Sequence, residues 1–173
     1  TLAFGAVSGG YYNPAITIAA WTVRKLETGR TLVFVAAQML GGVVAWTLNQ
    51  YLLNTTIKNI AGVTFDWRVF TAEAVGAGIF AMVLAASAYQ EFKGALKAAT
   101  AGVGFALGIL VASFASNGLI NPAVAVGVQS WSFFSAAAPI VGALVGINLY
   151  VFLFPDRPKW AKVDMQCFST PSA

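Results

Sequence analysis

Four long apolar stretches alternate with polar segments along this chain. They run over Thr31–Leu53, Val69–Tyr89, Ala95–Ala115 and Ser132–Phe154, and only Glu73 and Lys97 bring a charge into them. At about 1.5 Å of rise per residue, each stretch is long enough as a helix to cross the ~30 Å hydrocarbon core of a bilayer. The pattern therefore predicts four membrane-spanning helices.

Two shorter, mostly apolar stretches each begin with a proline, and an asparagine directly precedes each of these prolines. One runs from Pro14 to about Lys25, and the other from Pro122 to about Ser130. Asparagine is a favoured N-cap, and proline at the first helical position loses no hydrogen bond because that N–H has no partner in a helix. Helices of about 18 Å and about 13 Å would cross only half of a membrane.

The two short stretches belong to an internal repeat. Ser8–Ala19 reads Ser-Gly-Gly-Tyr-Tyr-Asn-Pro-Ala-Ile-Thr-Ile-Ala, and Ser116–Gly127, 108 residues later, reads Ser-Asn-Gly-Leu-Ile-Asn-Pro-Ala-Val-Ala-Val-Gly. Five identities fall in the first eight positions without a gap. With the span count above, one half-helix enters the membrane from each side, as in an inverted repeat.

Composition assigns the chain to the integral membrane proteins. Hydrophobic residues make up 58% and charged residues 9%, and the mean hydropathy is +0.75; soluble domains have about 25% charged residues. The ten basic and six acidic residues are scattered singly, which leaves no basic face for nucleic acid. The absence of histidine excludes histidine-based metal sites and general bases, and the single cysteine, Cys167, excludes an intrachain disulfide. We expect no catalysis, no metal and no cofactor.

The distribution of lysine and arginine between the connecting segments predicts the orientation. If the segment Arg24–Arg30 faces the cytoplasm, eight basic residues lie on that side and two on the other. The eight are Arg24, Lys25, Arg30, Lys93, Lys97, Arg157, Lys159 and Lys162, and the two are Lys58 and Arg68. Both chain ends are then cytoplasmic, including the polar tail Pro155–Ala173 that follows a membrane domain over residues 1–154.

Broken helices at membrane depth are tolerated where protein buries them or where they line a water-filled path. Each half-helix would place unpaired amides and a partial positive charge near the midplane, so the two positive ends would face each other. That arrangement raises the energy of a cation, hydronium included, and leaves a neutral solute almost unaffected. Asn13 and Asn121 would offer amide donors to a passing oxygen, and Ala15 and Ala123 are small enough for the two ends to touch.

Several motifs together resemble the aquaporin and glycerol-facilitator family, also called the major intrinsic proteins. The specific mark is the pair Asn13-Pro14-Ala15 and Asn121-Pro122-Ala123 at this separation. Supporting patterns lie at Ala37–Gly42, Ala72–Gly76 and Pro139–Gly142. The resemblance covers roughly residues 1–154 and implies an all-α membrane fold with re-entrant half-helices.

The resemblance also implies roles and partners. Glu73 would be the membrane-embedded carboxylate that braces the re-entrant backbone, and Gln38 would pack where the repeats meet. The family forms homotetramers with one pore per subunit and has six spans, so the first span and nearly all of the second lack a counterpart here. Thr1–Val7 resembles the end of the second span. Because Thr1 is not an initiator methionine and no basic segment precedes it, we expect a chain cut or processed at its start, without a signal peptide.

The chain departs from the family at the outer constriction. The family normally has arginine directly after the second Asn-Pro-Ala, whereas this chain has Val124. The other filter positions fall at Gly118 and at Ile109 or Val111, all apolar or minimal. We expect such a constriction to bind water weakly, to dewet and gate or to pass less polar solutes, and to exclude cations less strictly.

Three functional hypotheses follow. The first is a passive channel for water or a small uncharged solute. The second is a non-conducting subunit that keeps the fold and docks in a membrane assembly, which the absent spans and Val124 favour. The third, an ion- or proton-coupled transporter with inverted repeats, is weaker, because Glu73 is the only carboxylate within a span.

Overall fold

The computed structural model describes residues 9–58 and 65–154, and every regular element within them is a helix. The helices are α1 (Pro14–Thr22), α2 (Thr28–Leu53), α3 (Trp67–Tyr89), α4 (Gly94–Ala112), α5 (Pro122–Gly127) and α6 (Phe133–Leu153). The apolar lead Thr1–Val7 and the tail Pro155–Ala173 lie outside the described residues.

Four of these helices, α2, α3, α4 and α6, are long and apolar enough to cross a membrane. The predicted spans and the all-α membrane fold are thereby confirmed, with ends displaced by a few residues. The largest displacements are three residues each, at the start of α2, which begins at Thr28 instead of Thr31, and at the end of α4, which stops at Ala112 instead of Ala115. There the chain tightens into turns, with Phe114 N donating to Val111 O (3.3 Å) and Ala115 N to Ala112 O (3.2 Å).

The half-helices are shorter than predicted, with nine residues in α1 and six in α5. The predicted ends at Lys25 and Ser130 are wrong because the backbone turns left-handed just before them, at Arg24 (φ +58°) and Gln129 (φ +54°). Both helices end in the same type of C-cap, in which a backbone N–H donates to the carbonyl five residues earlier. Lys25 N donates to Ala20 O and Ser130 N to Ala125 O, each at 2.9 Å. At about 14 Å and about 9 Å, neither helix crosses a membrane.

Small residues let the helices approach until backbone meets backbone. A side chain added at Gly142 or Gly146 of α6 would overlap the carbonyl oxygen of Ala74 or Gly78 of α3, respectively. Such crossings allow dense van der Waals packing without a large apolar side chain. They fix α3 against α6, and α3 in turn positions Glu73.

The half-helices pack between these spans. Ala15 and Ala19 of α1 belong to a buried cluster with Ala143 and Ile147 of α6. On the other half-helix, a side chain at Gly42 of α2 would overlap the Ala123 carbonyl oxygen of α5. Each short helix is thus anchored along its side to a full span, which leaves its N-terminus directed at the other.

Candidate pore centre

The two Asn-Pro-Ala motifs form matching helix caps. Asn13 and Asn121 have extended backbone conformations, and each side chain accepts a hydrogen bond two residues on. Ala15 N donates to Asn13 Oδ1 (2.9 Å), and Ala123 N donates to Asn121 Oδ1 (3.0 Å). The local geometry is the N-cap followed by proline that the sequence predicts.

The same two asparagines join the half-helices to each other. Asn13 Nδ2 donates to Ile120 O (2.9 Å), and Asn121 Nδ2 donates to Tyr12 O (3.1 Å). Each asparagine thereby holds the carbonyl that directly precedes the other asparagine, and we call this pair of bonds the asparagine clasp. It brings the two positive helix ends together in the middle of the bundle. A primary amide has two hydrogens, so one on each Nδ2 is left over from the clasp.

Glu73 holds the loop that leads into α5. Its Oε1 accepts hydrogen bonds from Leu119 N (2.9 Å) and Ser116 Oγ (2.7 Å), and its Oε2 accepts one from Ile120 N (2.6 Å). The residue is only 3% exposed. A buried carboxylate is costly unless it is hydrogen-bonded. Two of the donors here are backbone amides of a loop, which have no partner in a helix or a sheet and need an acceptor when buried.

Ile120 locks this loop between two spans. Its side chain is fully buried beside Gly76 of α3 and Gly108 of α4, where any added methyl group would crowd it. The backbone φ is +42°, which is strained for a β-branched residue. The Glu73 carboxylate accepts from its N–H and the Asn13 amide donates to its carbonyl. Its side chain is enclosed where Gly76 of α3 meets Gly108 of α4. These three restraints keep the strained conformation in place.

Gln38 braces the first loop from α2. Its Nε2 donates to Tyr11 O (3.0 Å) and to Thr17 Oγ1 (2.9 Å), and Thr17 Oγ1 lies 2.9 Å from Asn13 O as well. The sequence pointed to Gln38 but missed Thr17. Its signal was a hydroxyl four residues after a capping asparagine, where it can bond back to the carbonyl of that residue.

The predicted filter residues are only partly brought together. Gly118 has φ +63°, and a methyl group there would lie 2.5 Å from Ser113 Oγ and 3.0 Å from Ile109 O. Of the two α4 residues left open by the sequence, Ile109 is therefore the one that packs beside Gly118, whereas Val111 is half-buried further along α4. Val124 is 39% exposed on α5.

Basic residues follow the carboxyl end of α1. Burial lowers the pKa of Lys25, and the positive charge of Lys97 lowers it further. Arg24 lies exposed directly before Lys25, and Arg30 lies exposed in the first turn of α2. Several positive charges therefore lie close together after α1, beside the exposed Glu27.

The asparagine clasp can be tested separately from helix capping. We expect Asn121→Asp to keep the cap, because aspartate is an equally good N-cap, but to lose the donor to Tyr12 O. A buried carbonyl left without its donor costs about 1–3 kcal/mol, so the thermal unfolding temperature of the purified protein should fall. Asn54→Asp, at the exposed carboxyl end of α2, is the control and should lower it far less, because an exposed charge at a helix end is worth only about 0.3–1 kcal/mol. An Asn121→Asp protein as stable as the wild type would show that the clasp contributes nothing.

Two half-helices that meet N-terminus to N-terminus within a bundle of apolar spans define a membrane protein of the re-entrant, channel-like type. The family model for major intrinsic proteins matches residues 1–154, and the chain belongs to that family.

Curated relatives point the same way. Aquaporin Z of Photorhabdus laumondii is 25% identical, over 90% of this chain and 77% of its own length. Glycerol uptake facilitator protein-like 6 of Lactiplantibacillus plantarum is 30% identical, over 83% of this chain and 74% of its own length. Human aquaporin-4 is 27% identical, over 96% of this chain and 56% of its own length. The chain thus spans between about half and three quarters of these relatives.

Proposed function

We propose that this protein is a passive transmembrane channel for water or small uncharged solutes, with its path running past the asparagine clasp. The observation that carries the proposal is the pair of clasp bonds, which holds two helix N-termini face to face at the centre of the bundle. The names of the aquaporin and glycerol-facilitator relatives support it.

The electrostatics favour neutral solutes. Two half-helix dipoles present about +0.5 of a charge each at the point where they meet. Asn13 and Asn121 keep one amide hydrogen each that can be donated to a passing oxygen. Hydronium meets the same barrier as other cations.

Glu73 is better suited to bracing than to proton transfer. Both of its oxygens are occupied by donors from one loop, and it is the only carboxylate in the four spans. A relay would need further titratable groups along the path. A proton flux that disappears in Glu73→Gln would favour the transporter instead.

We propose an outer filter of Gly118, Val124 and Ile109 that lacks the family's arginine. Residues 1–154 form the pore domain and residues 155–173 a tail on the cytoplasmic side. By analogy with the family, the protein assembles as a homotetramer, and a hetero-assembly is the arrangement expected if this chain does not conduct.

The missing arginine predicts a gain of selectivity in Val124→Arg. A guanidinium at this exposed position adds fixed charge and hydrogen-bond donors, which favour water over larger solutes and repel cations. We expect the glycerol-to-water permeability ratio to fall by about tenfold, the factor equivalent to roughly 1.4 kcal/mol. Val124→Leu, which stays apolar, is the matched control. An unchanged ratio in a folded Val124→Arg protein would remove Val124 from the filter.

Vesicle flux decides between the channel and the non-conducting subunit. Purified protein is reconstituted, and the rates of volume change are followed under gradients of water, glycerol and ammonia. A channel raises at least one rate above that of protein-free vesicles. If all rates stay at the lipid background and a stoichiometric partner co-purifies from the native membrane, the hypothesis of a non-conducting subunit is supported.

A further inference from the structure

An aromatic cluster lies where α3 and α6 begin. Phe65 packs edge-on against Trp67 (ring centroids 4.6 Å apart) and against Phe134 (4.5 Å). Phe70 completes the group, at 5.9 Å from Trp67 and 6.0 Å from Phe65. We call these four residues the Phe65 cluster. Its rings hold one another in place, so their orientation is fixed before any ligand arrives.

Trp67 presents its ring to the surroundings. It is the first residue of α3 and is 70% exposed, although three rings of the cluster pack against one another. Because α3 and α6 are membrane spans, their first residues lie at the level of the lipid headgroups. The exposed indole is therefore at the depth where a headgroup, and not an acyl chain, is the nearest neighbour.

Residues of opposite charge precede and follow Trp67 in the sequence. Asp66 caps α3, with its Oδ1 accepting from Arg68 N (2.7 Å), and its second carboxylate oxygen has no partner in the described part of the chain. The Arg68 guanidinium is exposed and likewise forms no ion pair with a described residue. An anion, an aromatic face and a cation thus follow one another at Asp66, Trp67 and Arg68.

We propose that this end of α3 binds the headgroup of a phosphocholine lipid. The quaternary ammonium lies on the face of Trp67 and is paired with the Asp66 carboxylate, while the lipid phosphate contacts Arg68. A quaternary ammonium is weakly hydrated and donates no hydrogen bonds, so an aromatic face is its preferred surface. A primary ammonium keeps its water more strongly, which makes the site selective for choline over ethanolamine.

The test is direct lipid binding to the purified protein, which does not depend on solute conduction. Short-chain phosphatidylcholine is titrated against short-chain phosphatidylethanolamine, with the thermal unfolding temperature as the readout. We expect about tenfold tighter binding of the choline lipid, within the range of a desolvated cation–π contact. Because the phosphate contact at Arg68 is part of the site, choline chloride alone should compete far more weakly than the intact choline lipid.

Two conservative variants separate recognition from folding. Asp66→Asn keeps a good N-cap and removes the charge, and Trp67→Leu keeps an apolar side chain and removes the aromatic face. Both should reduce the preference for choline to less than about twofold, because each lacks one of the two groups that contact the ammonium. Lys58→Gln, at an exposed residue outside the Phe65 cluster, is the control and should retain it. Equal binding of the two lipids by the wild type, or a preference that survives both variants, would overturn the proposal.

Discussion

A Glu73→Leu variant should fail to hold the loop before α5, and the protein should lose most of its folded population. Leucine accepts no hydrogen bond, so Leu119 N, Ile120 N and Ser116 Oγ would lose their shared acceptor in a site that is almost fully buried. Each such loss costs about 1–3 kcal/mol, which together is a large part of the 5–15 kcal/mol that stabilises a typical protein. The recovery of monodisperse protein after detergent extraction measures the effect.

Two milder variants should lose less folded protein than Glu73→Leu, in an order that follows the number of hydrogen bonds removed. Ser116→Ala removes one of the three donors and keeps the carboxylate, so its loss should be the smallest. Glu73→Gln keeps one acceptor oxygen but turns an amide group toward one of the donors, so its loss should be intermediate. If Glu73→Leu is recovered as well as Ser116→Ala, the carboxylate does not brace the loop.

Replacing Gly142 with leucine should separate α6 from α3. Any side chain at Gly142 would overlap the backbone of Ala74, and a rigid backbone cannot move aside as the end of a flexible side chain can. Overpacking of a core costs about 1–3 kcal/mol even where side chains adjust, and this contact leaves them no room to do so. We expect a fall in the thermal unfolding temperature larger than that of any surface variant.

Gly102→Leu is the matched control for helix propensity and added apolar surface. Gly102 lies in the interior of α4, and a methyl group there has no neighbour within 4 Å. Its replacement should be neutral or slightly stabilising, because glycine is a poor helix former. Equal losses in Gly142→Leu and Gly102→Leu would show that the α3–α6 crossing has no special role.

The spans and the capped half-helices could be predicted because their signals are local. Apolar length identifies a span, and asparagine before proline identifies a helix start. The ends of α1 and α5 could not be predicted, since the left-handed residues that end them are Arg24 and Gln129 and not the glycine or asparagine that usually marks such an end. The left-handed Ile120 is hidden from the sequence for the same reason, because only its tertiary contacts compensate for the strain.

The sequence predicts that Asn13 and Asn121 lie at the centre of the candidate site, but it does not predict the hydrogen bonds that join them to the opposite loops. Asn13 and Asn121 were expected to donate to a solute, and the structure adds a bond from each to the opposite loop. Such bonds join residues more than a hundred positions apart, which local patterns do not report. The choice between Ile109 and Val111 beside Gly118 likewise depends on how α4 packs, and the sequence left it open.

The most direct test is the osmotic response of vesicles that contain the purified protein, measured by stopped-flow light scattering under a water gradient and under a glycerol gradient. A path past the asparagine clasp predicts faster volume change than in protein-free vesicles, a slower rate in Asn121→Asp after correction for the amount of folded protein, and no proton leak in the wild type. Rates for water, glycerol and ammonia that all equal the lipid background, with the protein shown to be folded and inserted, would contradict a channel.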